Sequence, residues 1–184
     1  MTKRVILLSD NTIRKPPGTS RYLGPYTVST FLENYDIEVV IIDYFTNIEN
    51  LFDYLDHFIT TNTLFLGISN TFLVPDQKNI KKEKNSPLLR SQVTEFSFTG
   101  YLHFQEGSEM YEWTKKLKNL LRKKSPNGKL ILGGSKTGFI WKLVQNNSKH
   151  VDYYKNFEYI FIGKAEHSIL EIVKKEIDEK YNID

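Results

Sequence analysis

Tyr159-Ile-Phe-Ile-Gly163-Lys-Ala-Glu166 is an apolar run that stops at a glycine, followed by an amphipathic stretch opening at His167-Ser168-Ile169. A second segment repeats the pattern: Lys129-Leu-Ile-Leu132 runs into Gly133-Gly134-Ser135. A short, fully apolar strand that ends in glycine just before a helix is the loop chemistry of a parallel sheet covered on both faces. The fold expected is α/β, a doubly wound five-stranded parallel sheet of the Rossmann or flavodoxin-like kind. In such sheets ligands gather outside the carboxyl ends of the strands.

Outward from these two segments the chain keeps the same rhythm. Arg4-Val-Ile-Leu-Leu8, Ile37-Glu-Val-Val-Ile-Ile42 and Thr63-Leu-Phe-Leu66 read as strands, the last ended by Gly67. Helices are expected over residues 26–34, with Val28, Phe31 and Leu32 on one face, and over residues 48–59, with Leu51, Phe52, Leu55 and Phe58. Residues 109–124 form a third, with Tyr111, Trp113, Leu117, Leu120 and Leu121 inward, stopped by Pro126-Asn127-Gly128. A short helix is expected over 139–145 and a final one over 168–181. The alternation breaks once. Residues 75–91 are polar and rich in lysine and read as a loop, and residues 93–104 alternate like a hairpin turning near Thr99-Gly100. The expectation is a single domain over 1–184 with an insert at about 75–105, without internal repeats.

Composition excludes several classes. The 184 residues contain no cysteine, which removes disulfides, thiol nucleophiles and a cysteine-ligated iron–sulfur cluster from this chain. A net charge of +3 from 25 basic and 22 acidic residues, interspersed, gives no case for nucleic acid. No apolar run approaches the ~18 residues of a membrane span. Met1-Thr2-Lys3-Arg4 leads directly into a strand rather than a signal peptide, so a cytoplasmic protein is expected. The four histidines, His57, His103, His150 and His167, form no ligand pair and read as ordinary surface or half-buried residues, with His167 a partial exception because it lies at a helix start beside the candidate ligand edge.

The candidate site residues therefore lie in three loops. Ser69, Asn70 and Thr71 follow the third strand, Gly133, Gly134 and Ser135 the fourth, and Gly163 and Glu166 the fifth. Glycines admit a flat or phosphorylated ligand close to the backbone, and amides at a helix start suit an anion; equally, glycines simply end strands and turn tightly. Residues 133–138 lack the Gly-Lys-Ser/Thr ending of a phosphate loop, and no G-x-G-x-x-G follows the first strand. Asp10 and Asp43 close strands as in phosphate-receiver domains, but the third strand carries no aspartate there. Glu166 reads either as a helix-capping carboxylate or as a general acid or base. No catalytic constellation stands out.

Several of these segments together carry a resemblance. Arg21 with Gly24-Pro25-Tyr26, Val39-Val-Ile-Ile-Asp43, Leu66-Gly-Ile-Ser69, Ile131-Leu-Gly-Gly134 and Tyr159-Ile-Phe-Ile-Gly163-x-x-Glu166 resemble the cobalamin (B12)-binding-type domain. The closer likeness is to the form that precedes the barrel of cobalamin-dependent radical SAM enzymes. The resemblance implies a corrin ring lying over the loops after strands one, three and four, lined by Ser69, Asn70, Thr71, Gly133, Gly134 and Glu166. It also implies a radical SAM catalytic domain, or another protein, as partner. Two departures qualify it. The family's Asp-x-His-x-x-Gly is replaced by Ser9-Asp10-Asn11-Thr12-Ile13, so cobalamin would bind without a protein histidine ligand. The Cys-x-x-x-Cys-x-x-Cys signature is absent, so this chain does not cleave S-adenosylmethionine. Three readings stay open: a corrinoid-binding or degenerate corrinoid-binding-like accessory domain, an interaction module on the same scaffold without cofactor, and a flavin or nucleotide binder.

Overall fold

The computed structural model describes residues 2–9, 12–13, 19–20, 23–43, 45, 48, 50–69, 109–134, 137 and 152–181. Five parallel strands make one sheet: β1 (Lys3–Ser9), β4 (Ile37–Asp43), β5 (Thr63–Ser69), β6 (Lys129–Gly133) and β7 (Tyr159–Ile160). Two short strands between β1 and β4 in sequence, β2 (Thr12–Ile13) and β3 (Thr19–Ser20), pair antiparallel. The order across the main sheet is β4-β1-β5-β6-β7. Counting sheet strands alone, this is the 2-1-3-4-5 arrangement of flavodoxin-like doubly wound folds. The chain leaves β1 towards one edge and returns past it to β5, so β1 and β5 form the topological switch point.

Helices cover both faces. α1 (Gly24–Glu33) and α4 (Glu166–Tyr181) lie on one, and α2 (Leu51–Phe58) and α3 (Glu109–Lys124) on the other. Alternation along the strands divides the core accordingly. Val5, Leu7, Phe65 and Ile131 face α1 and α4 with Leu32, Ile169 and Val173. Ile6, Leu8, Leu66, Ile68, Leu130 and Leu132 face α2 and α3 with Leu55, Leu117 and Leu121. Burying each such side chain contributes about 1.5–3 kcal/mol, and near-continuous apolar strands are what two covered faces require.

The boundaries shift in informative places. β5 continues through Gly67 to Ser69 instead of ending at Gly67, with Gly67 in register between Leu7 and Ile131. β7 is shorter than the expected 159–162, since as an edge strand it has a partner only in β6; beyond it the Phe161 amide still donates to the Leu132 carbonyl at 2.8 Å. α1 begins at Gly24, with proline in its first turn, where the missing amide costs nothing. α2 spans 51–58 rather than 48–59. A single 3-10 turn, Asp152–Asn156, precedes β7. It is tied to α3 by the buried Asn156 amide, which donates to Thr114 Oγ1 at 2.8 Å. The lysine-rich loop 75–91, the hairpin 93–104 and the short helix 139–145 lie outside the described residues, as does Trp141.

Candidate functional site

At the carboxyl edge of the sheet, between α1 and α4, lies a cavity of about 450 Å³. Its floor is the switch point: Leu7 from β1, Gly67 and Ile68 from β5, and Ile131 from β6. Val28 of α1 and Ile169 of α4 form the sides with Phe161. Gly67 explains why the floor is flat. A Cβ there would approach Leu7 Cδ2 to 2.8 Å and Ile131 Cγ1 to 3.2 Å. No side chain can stand at 67 without moving its neighbours, and a glycine inside a strand marks such a close approach.

The three predicted loops converge on the mouth. Ser69 pairs in register with Gly133, so the two strand ends sit side by side, and both line the cavity with Gly134, Gly163 and Glu166. Gly163 turns the chain from β7 into α4 with φ +88°, a backbone conformation that side chains with a Cβ disfavour. The other three predicted residues, Asn70, Thr71 and Ser135, lie outside the described residues. Sequence reading did not single out Val28, Ile131, Phe161 and Ile169, which it took for core or strand positions. Their apolar character gives no signal that they face a void. Gly24 and Pro25 also line the cavity; they appeared in the sequence only as part of the resemblance.

Two contacts hold the walls in place. The Tyr26 hydroxyl, on the first turn of α1, donates to the Asp43 carboxylate at the end of β4. The His167 imidazole, on the first turn of α4, meets the Phe31 ring of α1 edge-on, with centroids 4.9 Å apart. A ring pair of this kind is worth about 0.5–1.5 kcal/mol beyond its buried area. His167 thus has a packing role between the two walls, and His57 is an exposed residue of α2; His103 and His150 lie outside the described residues.

Two large apolar side chains next in sequence to the lining are exposed. Leu23, just before α1, is 73% exposed, and Ile162, just before Gly163, is 55% exposed. Each adjoins in sequence a residue of the cavity lining. Chemically, the site offers an apolar slot, a rim of glycine and serine backbone, and two ionisable groups, Lys164 and Glu166. Among the described residues no three His, Asp or Glu side chains are grouped to hold a metal ion, and no helix is long and apolar enough to cross a membrane.

No family model, no curated protein and no solved structure matches this chain.

Proposed function

We propose that this chain is a corrinoid-binding domain without catalysis of its own, serving a radical SAM-type partner. The observation that carries the reading is the apolar cavity of about 450 Å³ at the switch point, with Ser69, Gly133 and Gly134 at its mouth. Its size and apolar lining fall within the range of small-molecule sites. A corrin macrocycle with its amide arms is too broad to enter it. The benzimidazole base that ends cobalamin's nucleotide tail is a flat, largely apolar body suited to such a slot, which would leave the corrin over the loop ends. Leu23 and Ile162, exposed and adjoining lining residues in sequence, would offer apolar surface to a ligand that extends beyond the cavity. With the tail withdrawn into the slot and no histidine after β1, cobalt would have no nitrogen ligand on its lower face. With no cysteine in the chain, any iron–sulfur cluster belongs to the partner.

The test is a titration with hydroxocobalamin, followed in the visible spectrum and by co-elution on gel filtration. Stoichiometric retention with a spectrum lacking lower-face nitrogen ligation is expected. Val28→Trp, which fills the slot from the α1 wall, should abolish retention while leaving the fold intact. Absence of retained colour on the wild-type chain at micromolar concentration overturns the reading.

A further inference from the structure

Lys164 and Glu166 are the two charged residues among the described lining of the cavity, and neither has an ion-pair partner among the described residues. Elsewhere lysines and carboxylates do pair: Lys118 with Glu158, Lys124 with Asp56 and Lys129 with Glu176. Lys164 is exposed while also lining the cavity, so it stands at the mouth rather than in the slot. It follows directly on Gly163, whose left-handed backbone fixes where the lysine leaves the chain. Glu166 is half-buried and is the first residue of α4. Its charge is already offset by the unbonded amides of that helix's first turn, and it suits a hydroxyl donor better than a second cation. An apolar slot, with an ammonium at its entrance that has no ion-pair partner among the described residues, suits a ligand with an apolar flat body and an anionic group just outside it.

We propose that Lys164 makes the cavity selective for a phosphorylated heteroaromatic ligand, its ammonium holding the phosphate at the mouth while Val28, Ile131, Phe161 and Ile169 hold the ring. The proposal rests on the reading of the cavity as a ligand site. It adds that the phosphate, rather than the ring alone, decides affinity. Glu166 is the acceptor for a ribose or other polyol hydroxyl beside it.

Two matched pairs of probes separate this role from the corrinoid reading: dimethylbenzimidazole ribonucleoside with and without its phosphate, and riboflavin 5′-phosphate with riboflavin. Each is titrated by calorimetry against wild type, Lys164→Ala and Lys164→Arg, with hydroxocobalamin run alongside. The wild type is expected to bind the phosphorylated member of a pair roughly three- to tenfold tighter, by a margin that shrinks as salt is raised. Lys164→Ala should erase that margin without weakening the unphosphorylated member, and Lys164→Arg should restore it. Equal binding of both members, or a margin that survives in Lys164→Ala, overturns the role of Lys164 and leaves the corrinoid reading standing. A margin seen with the flavin pair alone, with neither hydroxocobalamin nor the benzimidazole pair bound, supports Lys164 and sinks the corrinoid reading. Failure of every pair to bind overturns the proposal, and hydroxocobalamin retention then decides the corrinoid reading by itself.

Discussion

The two faces of the sheet use the same strands and the same number of long helices, yet they close differently at the carboxyl edge. On the α2–α3 face that end is filled by aromatic rings. Phe45, just past β4, stacks on Trp113 of α3 with centroids 5.7 Å apart, and Phe52 meets the same indole edge-on at 6.4 Å. Tyr154 and Phe157 are buried in the same cluster. On the α1–α4 face the equivalent depth is lined by Gly24, Gly67, Gly133, Gly134 and Gly163, and a cavity remains. The comparison teaches that the lining of the cavity is rich in positions without side chains, where the other face carries rings. One face is closed by rings at this end, and the other keeps a cavity.

The largest expected effect lies on the filled face. Leu117→Ala removes a fully buried side chain between α3 and the sheet, and should cost about 2–5 kcal/mol in denaturant unfolding. Ligand binding measured on the folded fraction should be unchanged, and a loss of binding would mean that the two faces are not separable. Gly67→Val attacks the other face at its floor. Its Cβ would sit 2.8 Å from Leu7 Cδ2, and overpacking of this kind costs about 1–3 kcal/mol. It should also eliminate uptake of any probe the wild type binds. If affinity survived, the cavity floor would not be the binding surface.

A loss of similar size, but from the backbone alone and without blocking the cavity, is expected at Gly163. An added Cβ there meets nothing within 4 Å, so Gly163→Ala isolates the backbone cost of φ +88°, about 1–3 kcal/mol. Thermal unfolding should report that loss with the core otherwise intact, and a neutral result would show that the turn into α4 relaxes.

The faces are also pinned by different ion pairs, which pH should separate. Lys129, at the start of β6, binds Glu176 of α4. Burial is the largest single influence on the Lys129 ammonium and lowers its pKa, but the hydrogen bond and attraction of Glu176, helped by Tyr159, together outweigh it and hold the group above the usual lysine value of 10.5. A raised folded pKa stabilises fully below the unfolded value and loses that contribution as pH rises through the folded value. The stability of the wild type relative to Lys129→Met should therefore be constant at neutral pH and fall only above about 10.5. On the other face Asp56 is held below the usual carboxylate value of 3.8, chiefly by its hydrogen bond to Lys124 on α3. Its contribution is present above 3.8 and disappears as pH falls through the lowered value. As this pair is largely exposed to solvent screening, the acid-unfolding midpoint of Asp56→Asn should differ least from wild type. A large acid effect would show that α2 and α3 depend on charge more than on their rings.

Much of this architecture is legible residue by residue. The runs Val5 to Leu8, Leu64 to Leu66 and Leu130 to Leu132 read as doubly covered strands because both faces are buried, and Leu117 with Leu121 read as one helix face because period 3.6 is a local property. The extension of β5 through Gly67 was missed, although Ile68 continues the apolar run, because glycine punctuates strands more often than it floors a cavity. The short edge strand was missed because an apolar sequence does not say that a strand has a neighbour on one side only.

For the site the division is sharper. The sequence by itself determined the α/β alternation, the sheet edge at which loops collect, and the glycines and serine that gather there. It also determined that no cysteine chemistry belongs to this chain. Only the tertiary structure decided that β1 and β5 are neighbours, that α1 and α4 share a face, and that Val28, Ile131, Phe161 and Ile169, packed in one cluster, also line a cavity. The physical reason is range. Periodicity and turn chemistry are set by bonds and steric contacts a few residues long, whereas a cavity is the difference between the volume that distant elements enclose and the volume their side chains fill.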